Sequence, residues 1–189
     1  MYTIGSTKWM TLANSLLVYL INLWSTRYDL YWHMLPDAAM SLEAGGRIVR
    51  SNYEDGINVQ VATAECLDDG RIMNAKYSPG EGMVTDSKKA CLVRNKRGQV
   101  TYTSVIVPSN RGESFDVKCE ALDGGSPDIN ACRIEITDHN GTKRVFFYGH
   151  NNEDEGTYCV GKFTSDAMVM LVRINDKGEK VEEFCFKND

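Results

Sequence analysis

Clusters of basic residues are almost absent from this sequence. Its 189 residues carry 21 lysines and arginines against 26 aspartates and glutamates, which gives a formal net charge of -5 at pH 7. Proteins that bind nucleic acid neutralise phosphates with grouped basic side chains, so nucleic acid is excluded as the expected partner. A modest basic grouping is interpreted as a solvent-exposed hairpin, with a surface for an acidic partner or a glycan as the alternative; its members are Lys88, Lys89, Arg94, Lys96 and Arg97.

Residues arranged for catalysis or metal binding are also scarce. The chain has three histidines and no C-x-x-C pair, so the spacing of a zinc finger is not available. No G-x-S-x-G nucleophile motif and no glycine-rich phosphate loop occurs. His139 and His150 flank a predicted hairpin and are expected to be exposed polar residues rather than a catalytic pair. The sequence predicts that the protein is not an enzyme and holds no cofactor or metal.

No apolar run is long enough for a confident membrane-spanning helix, which needs about 20 residues. An uncharged apolar stretch runs from Thr11 to Trp24, behind the single lysine Lys8. Its length is typical of the hydrophobic region of a signal peptide, so residues 1–25 are expected to be an export leader and 26–46 an N-terminal extension. The alternatives are an uncleaved anchor, the one case in which a membrane is involved, and an N-terminal core helix.

Helical periodicity is missing after residue 46. Apolar and polar residues alternate with a period of two, as in Ile57 to Ala62, Phe115 to Ala121 and Cys132 to Thr137, and turns rich in Gly, Asn and Asp separate these stretches. About ten short strands at this spacing predict a single all-β domain over residues 47–189. The expected architecture is an antiparallel β-sandwich, immunoglobulin-like or jelly-roll-like. The run from Met168 to Ile174 is apolar on both faces and predicts a central strand.

The six cysteines form an even set, which indicates disulfide bonds in an oxidising compartment. Cys119 and Cys132 stand symmetrically about the loop 123–128, so a hairpin is expected to place them directly opposite each other. The other four admit three pairings. Local bridges would join Cys66 with Cys91 and Cys159 with Cys185, and an alternative joins Cys91 with Cys159 and Cys66 with Cys185. In addition, Asn140-Gly141-Thr142 is a glycosylation acceptor triplet in a predicted hairpin tip.

The stretch N-N-E-D-E-G-T-Y-C-V-G-K-F, residues 151–163, carries Asp154, Gly156, Tyr158 and Cys159. It resembles the D-x-G-x-Y-x-C pattern of immunoglobulin-like domains. The tyrosine here abuts the cysteine, so the two side chains point to opposite faces unless a bulge intervenes. The resemblance implies a core pairing of Cys159 with Cys91 and a recognition module of the ectodomain type. The core tryptophan of that family is missing after Cys91, where Tyr102 is the only aromatic residue in 99–107.

The succession of hairpins also resembles the closed meander of the lipocalins, which implies a carrier of a small apolar ligand. The G-x-W motif of that family is not found near the first strand. A closed lipocalin-like barrel is therefore the alternative architecture, and a carrier the alternative function.

The function predicted from these features is that of a secreted or surface-attached module that binds a protein or glycan. Loops such as 78–90 and 150–155 are expected to gather at one end of the domain. The acidic stretch lacks the spacing of a calcium loop, so its residues are binding-loop candidates: Asn151, Asn152, Glu153, Asp154 and Glu155. Tyr28, Tyr31 and Trp32 are expected to pack against the sandwich, with an exposed interface anchor as the alternative.

Overall fold

In a computed structural model, the chain is almost entirely β-structure. The structure describes residues 17–24, 27–34, 39–53, 57–78, 80–96, 99–110, 113, 115–126, 128–152 and 156–187, with the backbone alone for 17–24, 77 and 99. These residues form fifteen strands and one 3-10 turn. The predicted all-β class is confirmed. The chain divides into two compact units, Met1–Glu113 and Ser114–Asp189.

Unit 1 contains two antiparallel sheets. Its strands are β1 (Leu17–Trp24), β2 (Tyr28–Met34), β3 (Ala39–Glu43), β4 (Ile48–Asn52), β5 (Asn58–Thr63), β6 (Asp69–Tyr77), β7 (Thr85–Arg94) and β8 (Gln99–Ser109), with the 3-10 turn at Ala44–Gly46. One sheet has the order β1-β8-β5-β4-β3, and the other has the order β2-β7-β6. Apolar side chains from both sheets form a single core cluster, as in the predicted β-sandwich: Tyr28, Leu30, Val49, Val61, Ala90, Leu92, Val100 and Tyr102.

The strand β5 differs from the sequence prediction because both of its faces are buried. Val61 lies in the core, as its alternation with polar residues predicts, but Gln60 and Ala62 are also buried. The Gln60 side chain accepts a hydrogen bond from the guanidinium of Arg50 on β4. This bond satisfies the buried polar group. The alternation from Ile57 to Ala62 predicts one buried and one solvent-exposed face, and for β5 that prediction is wrong.

Unit 2 is built on one five-stranded antiparallel sheet of order β15-β14-β11-β10-β9. Its strands are β9 (Asp116–Leu122), β10 (Ile129–Thr137), β11 (Lys143–Asn151), β12 (Tyr158–Val160), β13 (Phe163–Ser165), β14 (Val169–Ile174) and β15 (Lys180–Phe186). The hairpin β12–β13 packs on one face of the sheet, where its apolar side chains meet those of the long strands: Ala131, Tyr158, Val160, Met170 and Val172. The predicted central strand at 168–174 is confirmed, because β14 lies between β11 and β15.

No sheet formed by the described residues closes into a barrel. The closed lipocalin-like meander is therefore wrong as an architecture, although successive hairpins do build much of unit 2. Hairpins alone do not close a barrel; the strands must also tilt and stagger until the first and last pair. Here β9 and β15 are the two edges of an open sheet.

The N-terminal residues that the structure describes are strands. Residues 17–24, inside the predicted leader, form β1 and pair with β8, so the alternative of a helix is wrong for them. The predicted extension contains β2 and β3. Removal of a leader after residue 25 stays a prediction. Among the described residues, no helix is long and apolar enough to cross a membrane.

Candidate functional site

The sheet β2-β7-β6 of unit 1 presents a polar face on the side away from the core. Successive side chains of a strand point to opposite faces, so Tyr28, Leu30 and Trp32 enter the core while the residues between them point outward. The register of the sheet adds outward side chains from β7 and β6. We call this surface the tyrosine face; its residues are Asp29, Tyr31, His33, Arg71, Met73, Lys89 and Cys91.

Tyr31 is held at the middle of this face by contacts on several sides. Its hydroxyl donates a hydrogen bond to Asp29 Oδ2 at 3.0 Å. The Lys89 ammonium lies over the ring, 4.3 Å from the centroid, and the His33 ring centroid is 6.5 Å away. The side chain nevertheless keeps 39% of its surface exposed. Tyr31 is therefore an aromatic side chain that is fixed in place and still accessible to a partner.

A carboxylate and cations surround the ring. Arg27 Nε donates to Asp29 Oδ1 at 3.1 Å. Partial burial acts to raise the pKa of Asp29, but the hydrogen bonds from Arg27 and Tyr31 outweigh it, so that pKa lies below its ordinary value. The hydrogen bond to Asp29, followed by burial, raises the pKa of Tyr31 to about 12. At neutral pH the face thus presents an ionised Asp29 and a neutral Tyr31 beside Lys89.

Cys91 lies beneath this polar layer. It faces Tyr31 on β2 and Arg71 on β6 in the register of the sheet, and it is fully buried. The sequence marked Cys91 as a disulfide candidate, but in the structure it is a free thiol. A hydrogen bond with its thiol raises the pKa of Tyr31 further, after the larger effects of the Asp29 hydrogen bond and of burial.

An open cleft of about 310 Å³ lies between β6 and β7 near their hairpin. Asn74, Ala75, Asp86, Ser87 and Lys88 line it. The Ser87 hydroxyl is buried, with no hydrogen-bond partner among the described residues. Beyond the cleft, the hairpin carries Met83 and Val84, which are 59% and 70% exposed. The same hairpin therefore offers polar and apolar surface to a partner.

The predicted basic grouping does not form one patch. Lys88 and Lys89 are consecutive in β7 and point to opposite faces. Arg94 is engaged elsewhere, because its Nη1 donates to the Thr101 carbonyl at 2.6 Å and its guanidinium lies 5.9 Å from the Tyr102 ring centroid. Arg97 lies outside the described residues. Only Lys89 of this grouping joins the tyrosine face.

The predicted binding-loop residues lie in unit 2. Asn151 ends β11 and is buried, and Asn152 donates from its backbone and from its side chain to the Asp128 carbonyl, at 3.0 and 2.7 Å. Glu153, Asp154 and Glu155 lie outside the described residues. Asn152 thus meets Asp128 of the β9–β10 connection, whereas residues 78–90 belong to unit 1 and include part of β7.

The six cysteines are free thiols in the structure. Cys119 pairs with Ile134 and Cys132 pairs with Ala121, so the prediction that the two cysteines lie directly opposite each other is wrong by two residues. They remain diagonal neighbours on the same face, and both are buried. Cys66, Cys159 and Cys185 are exposed.

The resemblance to immunoglobulin-like domains also fails at its central residues. Tyr158 is buried and its hydroxyl donates to the Gly149 carbonyl at 3.2 Å, while Cys159 points away from the core and is exposed. Because Tyr158 and Cys159 are adjacent, their side chains do point to opposite faces, but it is the tyrosine that faces inward. A core pairing of Cys159 with Cys91 is therefore wrong.

The remaining sequence candidates are spread over unit 2. Asn140 is exposed at the tip of the β10–β11 hairpin, which confirms the predicted position of the acceptor triplet. His139 lies in the same turn and His150 near the other end of β11, so the two histidines do not meet. Among the described residues, no three His, Cys, Asp or Glu side chains group as metal ligands.

The sequence carries a signal for the strand that forms the centre of the tyrosine face. Residues Tyr28 to Met34 alternate with a period of two, which indicates a strand with one buried face. The prediction that residues 26–46 form an extension before the domain overlooks this alternation, because β2 lies within them.

Comparisons with models of protein families, with curated proteins and with solved structures found no match.

Proposed function

We propose that the protein is a secreted or surface-attached, non-enzymatic binding module that recognises a protein partner through the tyrosine face. The observation that carries this proposal is Tyr31, which is exposed yet held by Asp29 and Lys89. Tyrosine is enriched among the residues that dominate binding energy, because it offers a large amphipathic contact area at little entropic cost. A side chain already held in place loses less freedom on binding.

A protein partner fits this face better than a glycan does. The Lys89 ammonium occupies one side of the Tyr31 ring, which restricts stacking of a flat ligand there. Arg27, Asp29 and Arg71 provide both signs of charge around the ring. Mixed charges around an aromatic centre are typical of a protein interface, where they fix orientation and exclude wrong partners.

Two features of the sequence and the exposed position of Asn140 in the fold support export. The apolar stretch 11–24, the six cysteines and the exposed acceptor Asn140 are the features that favour it. Mass spectrometry of the non-reduced protein from its native source tests this part. We expect a glycan on Asn140 and at least one disulfide bond among the six cysteines. Six free thiols together with an unmodified Asn140 would contradict export.

Binding is tested with the labelled full chain on intact cells and on a glycan array. We expect saturable, protease-sensitive binding to cells that Tyr31→Ala weakens roughly 30-fold, the loss of about 2 kcal/mol typical of an interface centre. The matched control is Asn152→Ala, in the loop that the sequence favoured. Binding that is lost in the control but kept in Tyr31→Ala would refute the tyrosine face, and glycan-array binding that resists protease would identify a glycan partner.

A further inference from the structure

The strand β15 is an open edge of the five-stranded sheet in unit 2. Within the part of the chain that the structure describes, β15 pairs with β14 alone, and six of its seven residues are exposed. The free side of an edge strand presents backbone N–H and C=O groups that can pair with another strand. Proline or a bulge commonly blocks such pairing. This strand contains no proline, and its one irregularity lies at the far end, beside Ile174 of β14.

The exposed part of this edge is apolar on one face. Phe184 and Phe186 point to the same side, and 38% and 47% of their surfaces are exposed. They lie opposite Leu171 and Val169 of β14, which are half-buried. An apolar strip therefore continues across two strands and reaches the free edge. Apolar surface at a free edge favours a partner strand that continues the strip.

We propose that β15 pairs antiparallel with β15 of a second copy of this chain, about a two-fold axis at Cys185. Residues at equal distances from Cys185 then face each other. Phe184 lies opposite Phe186 of the second copy, which joins the two apolar strips. Glu183 lies opposite Lys187 of the second copy, on the other face, so the pairing is complementary in charge. Each contact occurs twice because the interface is isologous.

Neighbouring registers lack this complementarity. A two-fold axis at Glu183 sets two Glu183 carboxylates against each other, and opposed like charges destabilise a strand pair. An axis at Phe184 sets the two Phe184 rings opposite each other, but it places Glu182 opposite Phe186 and Glu183 opposite Cys185, so the charged pairs do not form. The register at Cys185 supplies both the aromatic and the charged pairs.

The charged residues of the proposed interface already have partners within the chain, and these contacts can be exchanged. Lys187 Nζ lies 2.6 Å from Asp166 Oδ2, and Lys180 Nζ lies 2.7 Å from Glu183 Oε2. The side chains of Lys187 and Asp166 are 56% and 66% exposed. Ion pairs this exposed contribute little to stability, so an intermolecular pair can replace them at little cost.

The register is tested by sedimentation equilibrium of the purified full chain over a range of concentrations. We expect a monomer–dimer equilibrium in which Glu183→Lys and Lys187→Glu each raise the dissociation constant at least tenfold, because each variant opposes like charges twice. The double variant exchanges the two signs and restores the dimer. Lys177→Glu, in the exposed turn before β15, is the control and leaves the equilibrium unchanged.

Cys185 reports the same register through a cross-link. Diamide oxidises two thiols to one disulfide and takes up their two electrons and two protons as it becomes the hydrazine. We expect a disulfide-linked dimer that Cys185→Ser abolishes and that Cys159→Ser, a change at another exposed thiol, retains. A chain that stays monomeric at all concentrations overturns the proposal, and so does a dimer indifferent to both single charge changes. A monomer whose β15 variants lose binding to a different protein points to a foreign strand at this edge.

Discussion

The substitution Gly149→Ala tests how the hairpin β12–β13 is seated on the sheet of unit 2. Gly149 lies in β11, between Ala131 of β10 and Met170 of β14. A Cβ atom at this position would lie 2.5 Å from Val160 Cγ2 and 2.6 Å from Tyr158 Cε2. Both distances are far shorter than van der Waals contact. The hairpin can therefore sit this close only because residue 149 has no side chain.

The two neighbours have little room to move. Val160 is fully buried, and the Tyr158 ring is fixed at its far end by the hydrogen bond from its hydroxyl to the Gly149 carbonyl. Overpacking a filled site costs about 1–3 kcal/mol, and loss of that hydrogen bond costs about 1 kcal/mol. Because alanine lowers the conformational entropy of the unfolded chain relative to glycine, it stabilises the folded state by about 0.4–1 kcal/mol. We expect Gly149→Ala to lower the free energy of unfolding by about 2 kcal/mol.

The measurement must report on unit 2. All three tryptophans lie in residues 1–113, so their fluorescence follows unit 1. Native-state hydrogen exchange at the amides of β10, β11 and β14 reports on the sheet under the hairpin. The control is Gly80→Ala in unit 1, whose Cβ would meet one atom, Met83 Sδ, at an ordinary 3.9 Å; tryptophan fluorescence follows the stability of this variant. A Gly149→Ala variant within 0.5 kcal/mol of the parent would refute this account of the packing.

Two further predictions concern buried polar groups of unit 1. Tyr102→Phe removes a buried hydroxyl that donates to the Tyr28 carbonyl at 2.7 Å, and we expect a loss of about 1–2 kcal/mol in urea unfolding followed by tryptophan fluorescence. Burial raises the pKa of Glu65 above its ordinary value of 4.5, although its carboxylate accepts the Thr103 backbone N–H. Protonated Glu65 therefore contributes its full stabilisation at pH values below the pKa that it has in the unfolded chain. This contribution is lost as the pH rises through the higher pKa that Glu65 has in the folded protein. Glu65→Gln should remove this decline in the free energy of unfolding with rising pH. Equal profiles of that free energy for the two proteins between pH 4 and 7 would contradict the prediction.

The β9–β10 hairpin shows what a local pattern can and cannot specify. Alternation places Cys119 and Cys132 on the buried face, and both are buried. The register instead depends on how the loop closes. The Ile129 N–H bonds to the Ser126 carbonyl, and Gly124 packs so closely on Ile129 that a Cβ would lie 2.4 Å from its Cγ2. These contacts shift the pairing by two residues, which preserves the face and changes the opposing residue.

The same limit explains why the alternation at 158–160 predicted two faces but not which of them is buried. A short strand with Tyr158 and Val160 on one side and Cys159 on the other is compatible with either orientation. The choice was settled by Gly149, whose missing side chain leaves room for the Tyr158 ring and an acceptor for its hydroxyl. Gly149 is nine residues before Tyr158 and belongs to another strand, so the buried face of β12 cannot be inferred from residues 151–163 alone.

Tyr31 required information of the same kind. The sequence of β2 places Tyr28 and Tyr31 on opposite faces, and tyrosine side chains occur both in protein cores and at surfaces. Which ring is covered depends on Ala90 and Leu92 of β7, which extend the buried face, and on Lys89, which stands beside the exposed ring. Since β7 begins more than fifty residues later, the exposed aromatic centre of the tyrosine face is a property of strand pairing. Composition and local periodicity indicate an all-β protein, but the residue proposed to carry binding is identified only when the two strands are placed side by side.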